Sequence, residues 1–149
     1  MADLTLIKQL RERTDAPMSA CKDALEKAEG DMNRAAEILQ QEGNRIAEKK
    51  AARQTGIGIV EAYVHTTQRV GALLELRSET DFVARNAEFQ KLAHNIAMHI
   101  TAANPQDIEE LFTQPYIRDE KKTIQDIVNE SIARFGENIQ IANFSRFEI

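Results

Sequence analysis

Glu75-Leu76-Arg77-Ser78-Glu79-Thr80-Asp81-Phe82-Val83-Ala84-Arg85-Asn86 changes its period midway. Up to Arg77 the residues alternate. Val70, Ala72, Leu74 and Leu76 share one face, while Leu73, Glu75 and Arg77 share the other, mostly polar one. That period of two describes a strand with one buried face. Beyond Asn86 the period becomes helical, with Phe89, Leu92, Ala93, Ile96, Ala97 and Ile100 on one side. The break carries a carboxylate, Asp81, beside Phe82, one of eight aromatics in the chain. A junction of this kind fixes a loop at both ends and leaves its side chains free to project. Spacing leaves two readings of Phe82 open. Either it packs beneath the long helix, with Asp81 or Thr80 as the cap, or it points outward.

Immediately upstream, Ile57 to His65 is rich in β-branched and apolar residues, and Thr66-Thr67-Gln68-Arg69 joins it to Val70–Arg77. This predicts a β-hairpin. Downstream, Ala103-Asn104-Pro105 ends the long helix, which Asn86 is placed to cap. A short helix is expected at 107–112, then a turn containing Pro115, then a helix over 119–135 stopped by Gly136. The alternation of Ile139, Ile141, Asn143 and Ser145 predicts a last strand within 138–149 that completes a three-stranded antiparallel sheet. A sheet buried on one face by helices makes the class α+β.

The N-terminal part has a different organisation. Leu6, Ile7 and Leu10 line a helix over about 3–13, capped by Asp3 or Thr5. A second helix, from Pro17 or Ser19 to Glu29, turns Met18, Cys21, Ala24, Leu25 and Ala28 inward. A third, Met32 to Glu42, follows an Asp31 cap and is expected to stop at Gly43. The chain thus divides into a three-helix module, 1–43, a basic linker, 44–56, and an α+β core, 57–149.

Composition narrows the functional classes. Of 149 residues, 42% are hydrophobic and 29% charged, which suits a soluble globular chain, and no apolar run is long enough to cross a bilayer. A single cysteine, Cys21, and an N-terminus without a basic start and apolar run predict a cytoplasmic location. Residues 1–54 are neutral overall and 55–149 carry the whole net charge of −5, so no basic surface for direct nucleic-acid binding is expected.

No catalytic set emerges. His65, His94 and His99 include no pair at helical metal-site spacing, and Gly56-Ile57-Gly58 lacks the third glycine and following helix of a phosphate loop. No metal and no cofactor are predicted, and Cys21 reads as a small buried hydrophobe. Two surfaces remain. One is the turn from Arg11 to Met18, where Met18 either plugs the small core or offers an adaptable contact. The other is Thr80-Asp81-Phe82.

Three stretches carry a family resemblance. Leu10-Arg11-Glu12-Arg13-Thr14-Asp15-Ala16-Pro17-Met18-Ser19-Ala20-Cys21-Lys22-Asp23-Ala24-Leu25 resembles the N-terminal signature of the translation elongation factor Ts family. Glu75–Asn86 resembles its second signature, and Phe135-Gly136-Glu137-Asn138-Ile139 is similar to a third stretch. Pro17, Asp23 and Arg77 depart from the usual residues of these motifs. The resemblance implies a guanine-nucleotide exchange factor for the GTPase elongation factor Tu, not an enzyme. It implies that the first module is ubiquitin-associated-like and docks on the GTPase through Leu10, Arg11, Thr14 and Met18. It further implies that Thr80, Asp81, Phe82 and Val83 meet the Mg²⁺ and phosphate region of the partner. Long members add a second core subdomain and a helical hairpin, so a short member is expected to form a homodimer. The alternative is a protein-interaction adaptor built on the same module without exchange activity.

Overall fold

The computed structural model describes residues 3–149. Three helices come first: α1 (Leu4–Thr14), α2 (Met18–Lys27) and α3 (Met32–Lys50). Asp3 caps α1 by accepting from the Thr5 amide, and Asp31 caps α3 through the Asn33 and Arg34 amides. Ile7, Leu10, Cys21, Ala24, Leu25, Ala28 and Ala35 form a small core of their own. This is the expected ubiquitin-associated-like bundle.

α3 does not stop at Gly43. It continues to Lys50, so the first part of the expected basic linker is helix. Gly43 is buried in the helix interior, where a Cβ would lie 3.9 Å from the Ala133 Cβ and from the Asn129 carbonyl oxygen. A methyl group there would meet ordinary van der Waals contact, so neither a helix stop nor packing requires the glycine. Ala47, one turn on, belongs to the main core rather than the small one. Asn129 donates to Asn44 at 2.9 Å and Gln40 to Asp126 at 3.4 Å. One helix therefore serves both cores.

The sheet is β1 (Ile57–Val64), β2 (Val70–Ser78) and β5 (Gln140–Glu148), in the order β1-β2-β5, with both pairings antiparallel. Leu74 and Leu76 of β2 face α5 (Ala87–Ala103), whose Phe89, Ala93, Ile96 and Ile100 are fully buried. Gly58 has no room for a side chain, since a Cβ would stand 2.2 Å from the Leu76 carbonyl oxygen. The Asn86 side chain caps α5 by accepting from the Glu88 amide. The α+β class, the hairpin, the long helix and the returning strand stand as expected.

Between α5 and β5 the chain differs from the expectation. Following α6 (Ile108–Thr113), residues Pro115–Tyr116 (β3) and Asp119–Thr123 (β4) form a two-stranded hairpin, and α7 begins only at Ile124 and ends at Phe135. Asp-Glu-Lys-Lys-Thr has no apolar alternation to mark a strand. The hairpin is held instead by burial of Tyr116 and by His99, whose Nδ1 accepts from the Ile117 amide at 3.3 Å. Thr123 and Asp126 then make a capping box that starts α7, a signal present in the sequence. Among the described residues no helix is long and apolar enough to cross a membrane.

Candidate functional site

β2 delivers the chain to Glu79 and Thr80, and a single helical turn, α4 (Asp81–Ala84), follows. Val83 and Ala84 sink into the main core. On so short a turn, two adjacent anchored residues leave the preceding side chain facing away. Phe82 is accordingly 85% exposed, and the core-packed reading of it is excluded. Thr80, not Asp81, is the cap: its Oγ1 accepts from the Val83 amide at 3.3 Å. Asp81 is thereby free of capping and pairs with Arg85 at 2.7 Å, both on the surface.

The base of the turn is tied to the start of β5. The Glu137 carboxylate accepts from the Glu79 amide at 3.2 Å, the Thr80 amide at 3.0 Å and the Thr80 hydroxyl at 2.7 Å. In return the Asn138 amide donates to the Glu79 carboxylate at 2.8 Å. Asn138 also reaches back to the linker just past the end of α3, donating through Nδ2 to the Ala51 and Arg53 carbonyls at 3.3 and 2.9 Å. Arg53 in turn stands 3.6 Å from Glu79. Four of these six bonds go to a charged acceptor, the stronger kind, and all six span more than fifty residues of sequence. The second and third signature stretches, read separately in sequence, thus form one structure. The partnership of Glu137 with Glu79–Thr80 leaves no periodic trace, and sequence reasoning missed it.

In the first module the expected contact set divides. Arg11 is exposed, Thr14 is half-buried and Met18 is 40% exposed at the first residue of α2. Met18 therefore presents surface instead of plugging the bundle. Leu10 is fully buried within the small core and supports the turn without offering a contact. Val83 has the same standing at the other site. The Thr14 hydroxyl donates to the Leu10 carbonyl at 2.7 Å, which ties the turn to α1. Asp15 takes the left-handed conformation after α1, and its carboxylate lies 3.9 Å from Arg134 of α7. Arg134 is also 3.8 Å from Glu88 in the first turn of α5. The turn and the base of α5 thus share one cation.

Among the described residues, no three or more His, Cys, Asp and Glu side chains gather to hold a metal ion. Cys21 is buried, and burial pushes its thiol pKa up against the opposing pull of Thr14 and Arg11, which disfavours the thiolate. His99 is held neutral by burial, with Nε2 donating to Gln114 at 2.9 Å. What the site offers is a ring on a braced mount, with a carboxylate beside it.

Comparison with known proteins bears on this arrangement. The family model described as "Elongation factor TS" matches residues 79–149. Elongation factor Ts of Thermotoga neapolitana is 39% identical, with 98% of this chain and 96% of the relative aligned. The protein of the same name from Thermodesulfovibrio yellowstonii is 38% identical over 97% and 94%. That of Rippkaea orientalis is 38% identical over 95% of this chain and 75% of the relative. The first alignment spans 189 positions against 149 residues, so at least 40 residues of that relative have no counterpart here. Coverage of nearly all of both proteins places those gaps within the aligned span rather than beyond its ends. Identity of this level along nearly the whole chain, through both signature-bearing regions, makes this protein a member of the elongation factor Ts family of translation factors.

Proposed function

We propose that this chain is a guanine-nucleotide exchange factor for elongation factor Tu, binding its GDP-bound and nucleotide-free forms and promoting GDP release so that GTP can reload. The observation that carries this reading is Phe82, 85% exposed on a turn braced on both sides. A nucleotide held by a phosphate loop and Mg²⁺ leaves slowly because its charges are fully paired. Phe82 wedges near the Mg²⁺ and phosphate region, and the metal's coordination is disturbed. Asp81, leashed to Arg85, brings negative charge beside the ring. No bond is made or broken, and no cofactor is required. The chain acts by binding the nucleotide-free partner better than the GDP-bound one, so each ligand weakens the other.

The division into a docking module and a core carries over, with one revision. Residues 1–43 dock on the GTPase through Arg11, Thr14 and Met18, while α3 runs on into the core and fixes the module's position. We also infer a homodimer. The sheet face away from α5 leaves Val60, Val64, Leu73 and Phe147 exposed, and Gly71 lies opposite both Val64 and Phe147, so these side chains share one apolar surface. A second copy covering that face would hide it, and no direct nucleic-acid or membrane contact is called for.

The test is linkage. Affinity of the chain for elongation factor Tu is measured by calorimetry without nucleotide and in saturating GDP with Mg²⁺. Coupling of 1–3 kcal/mol is typical of linked sites, so affinity should fall at least about fivefold when GDP is present. Equal affinity in the two states would leave only an adaptor.

A further inference from the structure

Glu137 has no part in the expected contact surfaces, yet it makes more bonds to the Phe82 turn than any other side chain described above. Its two carboxylate oxygens take up both backbone amides at the base of the turn and the Thr80 hydroxyl. The last of these is a relay. Because the Thr80 hydroxyl spends its hydrogen on Glu137, a lone pair of the same oxygen is left facing the Val83 amide, which it caps at 3.3 Å. The Ser78 hydroxyl adds a third restraint, donating to the Thr80 carbonyl at 2.9 Å. Without Glu137, the Glu79 and Thr80 amides turn to water and the hydroxyl rotates freely. A one-turn helix makes few bonds of its own and depends on its cap.

We propose that Glu137 is the positioning residue of the contact tip: it acts through Thr80 to hold α4 in the one orientation that presents Phe82 to the partner. This rests on the exchange reading above and adds to it. Glu137 lies just before β5, and its hydrogen bonds go to Glu79 and Thr80, not to Phe82. Its loss lowers the fraction of molecules whose tip is competent, and the maximal rate of nucleotide release scales with that fraction. Docking through Arg11, Thr14 and Met18 is unaffected, so the half-saturating concentration stays put.

The experiment follows release of fluorescent GDP from elongation factor Tu as a function of the concentration of this chain. Wild type, Glu137→Ala, Phe82→Ala and the double variant are compared. Three charge-assisted bonds vanish in Glu137→Ala, and the maximal rate is expected to fall about tenfold while half-saturation shifts by less than about twofold. Glu137→Gln, which keeps an acceptor oxygen for the backbone amides, recovers part of the loss. The double variant matches Phe82→Ala alone, because with no ring to aim the brace has nothing to contribute. An unchanged maximal rate in Glu137→Ala overturns the proposal, as does the same fractional loss in the Phe82→Ala background. If Glu137→Ala does not fold, Thr80→Val removes the relay and keeps the backbone donors. It should then show a smaller loss of the same kind, and no loss overturns the proposal. When Phe82→Ala itself releases GDP at the wild-type rate, the exchange reading fails. When Phe82→Ala is slow and Glu137→Ala is not, the positioning role alone fails.

Discussion

Replacing Phe82 by alanine should separate activity from stability. With 85% of its surface in solvent, the ring buries only about 30 Å² of the roughly 200 Å² an aromatic side chain can bury. At about 25 cal/mol per Å² that is worth about 0.7 kcal/mol to the fold, an upper estimate. Removing it should move Tm by no more than about 3 °C for a chain of this size. The remaining area, about 170 Å², is available to the partner and corresponds to at most about 4 kcal/mol. Spent in the step that releases GDP, this sets a ceiling of about a thousandfold on the loss of rate. We expect a fall of at least about tenfold, since central aromatic contacts commonly cost 2 kcal/mol or more when truncated. The assay is stopped-flow release of fluorescent GDP from elongation factor Tu at saturating concentrations of each variant, beside thermal unfolding followed by circular dichroism. A variant of wild-type stability that releases GDP at the wild-type rate would refute the wedge. A variant that loses activity only because it has lost several degrees of Tm would refute the exposed mount.

The fold gives further expectations. Gly43→Ala should stabilise the protein by about 1 kcal/mol, because the position is helix interior with ordinary contact distances for a methyl group; a lowered Tm would mean that α3 is not one packed helix. Gly58→Ala, which drives a methyl onto the Leu76 carbonyl, should by contrast cost more than about 2 kcal/mol in denaturant unfolding, and a neutral result would contradict the register of the β1-β2 pair. His99 is neutral in the fold because burial lowers its pKa, outweighing the opposite effect of Gln114. The unfolded chain then takes up a proton that the folded one resists, so this contribution is complete above the ordinary imidazole value near 6.5 and is lost as pH falls through it toward the lowered folded-state value. Unfolding curves from pH 8 to 5 should show a steeper loss in wild type than in His99→Gln, and parallel curves would remove His99 as the cause. Sedimentation at tens of micromolar should show a dimer that Phe147→Glu dissociates, and monomer alone in the wild type would remove the homodimer.

Where local signals agreed with one another, the sequence was a sound guide. The alternation of Val70 to Leu76 and the helical spacing of Phe89 to Ile100 each have one solution, and both elements formed as read. Asp3, Asp31 and Asn86 cap because each side chain reaches amides two or three residues away, a purely local matter. Gly43 misled because a glycine ends a helix only where the backbone turns left-handed, and here it stays helical. What carries the helix onward is the packing of Ala47 in the main core and the bond from Asn129 to Asn44, which no local signal announces. β4 was hidden for a related reason: its pairing with β3 depends on Tyr116 and His99, not on any pattern in Asp119–Thr123. At the site, residue types pointed to Phe82 but could not give its direction. Direction comes from Val83 and Ala84 entering the core and from Glu137 arriving from elsewhere in the chain. Leu10 and Val83 belong to the same stretches as their exposed neighbours, and burial alone separates support from contact.

Release of GDP from elongation factor Tu, with this chain absent and then at saturation, tests the central claim most directly. A wedge that disturbs the metal and phosphate contacts should raise the release rate by at least about a hundredfold, the factor that about 2.7 kcal/mol of barrier provides. A release rate that stays the same at saturating, demonstrably bound protein would contradict the account.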